Sequence, residues 1–500
     1  MNRFVLFAAL FVPTLAACAP KNADPTAAET TAPPADPHAW RAQRPPAGFE
    51  VPYSAPTAAT FNLSNGIPVY LVKQGDLPLV CVRLLVTTGR ESNPKGKAGL
   101  ASLTANMLDE GTKTRDSATI AIDASRLGAE LSVSVGEETA VAAIDALTGA
   151  ELGPSLDLLA NVVLNPKFDK AAFARVQSEV LTGIQSAKSE PRDVVAREFL
   201  AQYWGADHPY GTPAVGSETS VKSIKVADVA RQYTATWHAG NASLVIAGNI
   251  DAATIQPLLE ARFGNWKGSA GARPEVAAPA SLLKTRLVFV EQPGAVQSVI
   301  RVGGPGPRRS DPNYWPTEVA ATLFGGMFSS RLNMNLREEH GWSYGAYAGL
   351  GISRDHAVFA ARTSVQADKT APAVAEILKE MRTQAGRSPT PDEMKLTVAN
   401  LVKSLPGNFA NNAATATTFL QIPAQGLAAD AWATYPASIN AVTADAAGFA
   451  GKTLLDADNT LIVVAGPRTV EVEDEKGGKV VIDVAAELKA LGFEYVEAKR

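Results

Sequence analysis

Five histidines and two cysteines in 500 residues leave little material for a soft-ligand metal site, and at most one bridge for a disulfide framework. His38, His208, His238, His340 and His356 are too scattered for any two to share one helix face at metal-ligand spacing. No Lys/Arg-rich run occurs, and 46 basic against 50 acidic side chains give a formal net charge of −4. A basic stripe for a phosphate backbone is therefore lacking, and nucleic acid is not an expected partner. Gly89 to Ala98 has no Ser or Thr after its lysine, and Gly303-Gly304-Pro305-Gly306 lacks a strand-to-helix setting, so neither reads as a nucleotide loop. What the chain has in quantity is apolar material: 46% hydrophobic residues against 19% charged ones supply more than one core.

The opening residues Met1-Asn2-Arg3 precede an apolar stretch, Phe4 to Ala17, that is too short to span a bilayer and has the build of an export signal. It ends Leu15-Ala16-Ala17-Cys18, which resembles the bacterial lipobox. That resemblance implies cleavage before Cys18, lipidation of its thiol and, with Ala19 following, an outer-membrane anchor facing the periplasm. Cys81 then has no cysteine to pair with. It sits in the apolar run Leu79–Val86 and reads as a small buried residue of a strand. Residues 18–48, rich in Pro, Ala, Thr and Asp, read as a disordered tether behind the signal peptide 1–17.

The body opens on a hairpin signal, Asn65-Gly66 between two short apolar segments, which predicts a two-residue turn of type I′. Helical periodicity follows over Ala98–Leu108 and Ser117–Leu127, strand alternation over Glu130–Val135 and Thr139–Leu147, and helical periodicity again over Glu151–Leu164 and Lys170–Ala187. This alternation predicts an α+β fold with helices packed on a mostly antiparallel sheet. Asn241–Gly248 matches Asn459–Gly466, 218 positions later. The match divides the chain into two homologous domains, 49–266 and 286–500, joined by a Gly/Ala/Pro linker at 267–285 that few contacts would cross.

The decisive segment is Gly99-Leu100-Ala101-Ser102-Leu103-Thr104-Ala105-Asn106-Met107-Leu108-Asp109-Glu110-Gly111-Thr112. It resembles the zinc helix of the insulinase/pitrilysin (inverzincin) metallopeptidases, Gly-Leu-Ala-His-x-x-Glu-His-Met-Leu-x-x-Gly-Thr. In that pattern two histidines grip zinc from one helix face and the glutamate acts as base. Here the three positions are Ser102, Ala105 and Asn106. A hydroxyl and a carboxamide are poor zinc ligands beside imidazole, and alanine accepts no proton. The resemblance places Glu179 where the family's third ligand stands, but with its partners gone it reads as a surface carboxylate paired with a nearby cation. No metal is therefore expected on this chain.

The second half carries Ser329-Ser330-Arg331-Leu332, then Arg337, Gly341 and Tyr344. This is similar to the family's second-half signature, where a helix opened by Ser-Arg-Leu ends near an arginine that precedes a tyrosine by seven residues. The resemblance, which runs from about residue 55 to 470, implies that Arg337 and Tyr344 donate hydrogen bonds to peptide backbone and to the developing oxyanion. It further implies a noncatalytic subunit, inactive alone, of a heterodimeric envelope peptidase, with zinc on an insulinase-family partner and peptide as substrate. A catalytically inert scaffold or assembly lipoprotein of the same fold is the alternative.

Overall fold

A computed structural model describes residues 38–43, 53–269, 271, 276–474 and 476–498. The signal 1–17, Cys18 and all of the tether but residues 38–43 lie outside the described residues. Of the tether, Ala39–Ala42 form one turn of 3-10 helix.

Two six-stranded sheets organise the rest. The first contains β1 (Ala59–Asn62), β2 (Pro68–Lys73), β3 (Leu79–Val86), β4 (Glu130–Val135), β5 (Ala140–Leu147) and β6 (Ala242–Gly248), in the order β1-β2-β6-β3-β5-β4. The second contains β7 (Arg286–Glu291), β8 (Gln297–Gly306), β9 (Ser343–Ile352), β10 (Ala357–Gln366) and β11 (Leu461–Gly466), followed, after a small β12 (Thr469–Glu473) and β13 (Lys479–Asp483) ribbon, by β14 (Glu494–Glu497). Its order is β14-β7-β11-β8-β10-β9. Only β2–β6, β7–β11 and β7–β14 run parallel, so both sheets are mostly antiparallel, as the alternation predicts.

The sequence repeat is a repeat of topology. Strand β6 lies between parallel β2 and antiparallel β3, and β11 lies between parallel β7 and antiparallel β8. Arg83 on β3 faces Val245, while Arg301 on β8 faces Val463. Both members of the second pair stand 218 positions after their counterparts.

Helices α1 (Leu100–Asn106), α2 (Ser117–Arg126), α3 (Leu152–Leu164), α4 (Lys170–Ala187) and α5 (Pro191–Trp204) fill the first half. Capping residues fix where two of them begin. Asp116 accepts from Thr119 N at 2.8 Å, and Asp169 accepts from Ala171 N at 2.8 Å, each satisfying a donor that the helix start leaves unpaired. Leu156, Leu159 and Val163 of α3 then cover Val82, Leu84 and Ile144 on one face of the first sheet. The Thr370–Ala385 helix does the same for the second sheet through Val374, Ile377 and Leu378.

The opposite faces are covered by exchange. Val194, Val195 and Phe199 of α5, a first-half helix, pack on Val288, Leu461 and Val463 of the second sheet. In return Phe409, Phe419 and Trp432 of the second half pack on Val72, Cys81 and Val245 of the first. Strand β3 is thus buried on both sides, which explains its unbroken apolar run.

Three local expectations change. The Asn65-Gly66 turn belongs to a three-residue loop, 64–66, closed by Leu63 N–H donating to Ile67 O at 2.9 Å, with Gly66 N–H donating to Leu63 O at 2.9 Å. Asn65 holds that loop by donating to Phe263 O and Trp266 O at 2.8 and 3.0 Å. The junction between the halves is also better fastened than its composition suggests: Val276 is buried beside α5, and its carbonyl lies 2.8 Å from His356 Nε2. Finally, the Ser-Arg-Leu helix keeps α geometry only over Arg331–Asn333 and widens to a π-helix over Met334–Glu339.

Candidate functional site

Helix α1 starts at Gly99, whose φ of +92° suits glycine alone, with Gly216 pressed against it from the His208–Gly216 segment. A Cβ on Gly99 would stand 2.6 Å from Val215 O, so the two chains meet backbone to backbone. That contact brings the Ala214 carbonyl over the helix, where Ser102 Oγ donates to it at 2.6 Å. Ala105 points into the first core and is fully buried, while Asn106 is exposed. The three zinc-motif positions therefore present a spent hydroxyl, a methyl group and a solvated amide.

Leu100, Leu103 and Met107 seat α1 on Phe173, Val176 and Ile184, all from α4. Glu179 lies on that helix with its side chain 60% exposed and pairs with Arg175 at 2.7 Å. Arg175 also pairs with Glu110 just beyond α1. The two carboxylates hold the Arg175 guanidinium protonated well above its ordinary range. Glu179 is thus already neutralised along its own helix. These residues do not fit a zinc ion, and among the described residues no group of three or more His, Cys, Asp or Glu side chains converges as a metal site would require.

In the second half, Leu332 and Leu336 anchor the signature helix in its core, and Arg331 pairs with Glu393 at 2.6 Å. Gly341, at φ +67°, ends the helix; its N–H donates to Arg337 O at 3.1 Å and that of Trp342 to Leu336 O at 3.0 Å. Arg337 rests its guanidinium 4.7 Å from the Phe328 ring centroid and places Nε 3.3 Å from Glu338. Tyr344 opens β9, the edge strand, and is 90% exposed. It lines a cavity of about 560 Å³ between α5 and the open part of the second sheet; Arg337 does not line that cavity.

The same cavity holds residues that sequence reasoning passed over. Arg192 from α5, Arg301 from β8 and Arg362 from β10 line it, and no Asp or Glu does. Arg301 lies 4.4 Å from the Phe199 ring centroid, its Nε buried without a hydrogen-bond partner. Burial first, then the like charge of Arg362, pulls its pKa down. An adjoining cavity of about 370 Å³ shares Arg301 and Arg362 and includes Glu137. The available signal was Arg301 itself, a lone charge between apolar strand neighbours at the repeat offset from Arg83.

Residues 70–215 match the family described as insulinase (peptidase family M16), and residues 223–401 match the peptidase M16 inactive domain. The two matches together cover well over half of the chain. The chain belongs to the insulinase family. It is 30% identical over 280 residues to an uncharacterized zinc protease of Mycobacterium tuberculosis, a match covering 55% of this chain and 62% of that protein. It is 25% identical over 290 residues to the non-peptidase homolog YmxG of Helicobacter pylori, covering 58% of this chain and 66% of the other. The chain thus spans less than two thirds of the length of these curated relatives. Among solved structures it is similar to the peptidase M16 inactive domain of Pseudomonas fluorescens, with a TM-score of 0.76 at 24% identity over 82% of this chain and 98% of that one. The family's two-domain α+β architecture is therefore present, on a zinc helix that retains neither ligand histidine nor the glutamate base.

Proposed function

We propose that this chain is the noncatalytic subunit of a heterodimeric zinc peptidase of the bacterial envelope, lipid-anchored through Cys18, and that its partner is an insulinase-family homologue bearing the intact zinc helix. In this reading Arg337 and Tyr344 act in trans, donating hydrogen bonds to peptide backbone held at the partner's metal. A guanidinium and a phenol suit that task because neither has to change protonation state. The observation that carries the reading is the contrast between the halves: Ser102, Ala105 and Asn106 have replaced the metal chemistry, while the Arg337/Tyr344 signature persists, with Tyr344 exposed at the rim of a cavity.

The test is peptide hydrolysis by the purified chain, by a zinc-bearing homologue and by the mixture. Turnover only in the mixture, lowered by Arg337→Ala and by Tyr344→Phe while the complex still forms, supports the proposal. Cleavage by this chain alone, abolished by a chelator, overturns it. A second reading, an inert scaffold or assembly lipoprotein, draws on the contacts of Arg337, which faces Phe328 and Glu338 and does not line the cavity. It predicts that the complex forms and that neither substitution changes turnover.

A further inference from the structure

The two sheets treat one equivalent arginine in opposite ways. On the first, Arg83 of β3 forms an ion pair with Asp145 of β5, the residue directly opposite Cys81. On the second, the residue opposite Val299, the counterpart of Cys81, is Ser364. The residue directly opposite Arg301 is not the small Ala143 that faces Arg83 but a second arginine, Arg362. An internal ion pair in one half has thus become a like-charged cross-strand pair in the other.

Such a pair is unfavourable when nothing neutralises it. Among the described residues neither Arg301 nor Arg362 lies within ion-pair distance of a carboxylate, as Arg83 does of Asp145, and Arg192 adds a third positive side chain to the same wall. The carboxylate that faces Arg301 from the first half, Glu137, pairs with Arg90 instead. Helix α5 packs mainly on β11 and β8, with Phe199 against Arg301, and Arg301 and Arg362 line the cavity left between this helix and the open part of the sheet. Tyr347 lies across from Arg362 on β9, and Ser364 follows along β10, adding hydroxyl groups to the lining.

We infer that this cleft binds a peptide carboxylate on Arg301 and Arg362, and that the chain selects acidic peptides, seating a Glu or Asp side chain or a free C-terminus beside Tyr344. Guanidinium groups match a carboxylate by paired N–H donors, and a site closed on one side by α5 strengthens that attraction over its value in open water. The inference rests on the reading of this chain as a peptide-holding subunit, and it adds the class of peptide.

Equilibrium binding to the full chain alone tests it, with three fluorescent peptides of one sequence: blocked at both ends with a central Glu, the same with Gln, and the Gln peptide with a free C-terminal carboxylate. The Glu peptide is expected to bind about tenfold more tightly than its blocked Gln twin, as one charge-assisted pair would give, with the gap closing as salt is raised. The third peptide distinguishes the terminus from the side chain as the carboxylate recognised. Arg362→Gln replaces an exposed side chain and should abolish the preference. Ser364→Asp keeps every arginine and rebuilds the internal neutralisation seen at Arg83, so it should abolish the preference without lowering the melting temperature. Equal or absent binding of all three peptides, or a preference surviving in both variants, overturns the inference. Partner-dependent hydrolysis is read separately: turnover without charge preference sinks only this inference, and charge preference without turnover sinks only the peptidase reading.

Discussion

Arg175 holds Glu179 at 2.7 Å along one helix while its other terminal nitrogen reaches Glu110 across the α1–α4 packing. The glutamate that the resemblance places at the third-ligand position is therefore paired with a cation that belongs to the fold. Restoring the motif by Ser102→His, Ala105→Glu and Asn106→His supplies two imidazoles and a base but leaves that carboxylate engaged. The triple variant is expected to bind zinc weakly, and adding Arg175→Ala should tighten binding about tenfold, the range by which supporting contacts tune metal sites. Calorimetric zinc titration checks this; equal affinity in the two variants would show that Arg175 does not compete for Glu179.

A second relationship joins the halves. Tyr210 donates its hydroxyl hydrogen to Glu138 Oε1 at 2.6 Å, and Glu138 Oε2 accepts from Arg354 N at 2.7 Å. Both Tyr210 and Glu138 are buried. Tyr210→Phe leaves the packing and removes a hydrogen bond to a buried carboxylate, a loss of about 1.5–3 kcal/mol. Denaturant unfolding reads it directly. A change below about 0.5 kcal/mol, typical of surface positions, would mean that water or a neighbour replaces the phenol without cost.

Cys81 offers a test by pH. Burial, then its hydrogen bond to Asp145, pushes the thiol up from 9.0 to about 12. A thiol raised in the folded state adds stability that is fully present below its unfolded value and is lost as pH rises through the folded one, here from about 9 to 12. With Cys18→Ser removing the other thiol, alkylation at pH 8 should be negligible in the native protein and complete in denaturant. Rapid native labelling would show that the β3 face opens to solvent.

Much of this was legible in the sequence, and the parts that were not share a cause. Strand β4 and helix α4 fall where the periodicity places them because each buries one face against neighbours close in sequence. The altered zinc motif is local in the same sense, since Ser102, Ala105 and Asn106 all fall on the one short helix α1. The cavity was not legible: Arg192, Arg301 and Arg362 are brought together only when α5 crosses to the second sheet. Periodicity states that a helix has an apolar face and is silent on which sheet that face will meet. The π-helical turn at Met334–Glu339 was hidden in the same way, because the hydrophobic spacing that seats Leu332 and Leu336 is compatible with either helix.

The exchange of helices makes the last prediction. Phe199 seals the second sheet from the first half, Phe419 seals the first sheet from the second half, and both are fully buried. If each half completed its own core, removing one ring would weaken one half and leave the other intact. With the covers exchanged, loss of either ring exposes the neighbouring sheet as well as the helix that supplied it. Phe199→Ala and Phe419→Ala should each cost about 3–5 kcal/mol and each lower one shared unfolding transition. Hydrogen exchange followed at β3 and β11 reports both sheets at once, and their slowest amides should lose protection together in either variant. Separate transitions, with each substitution moving only one, would show that the sheets are stabilised independently despite the crossing helices.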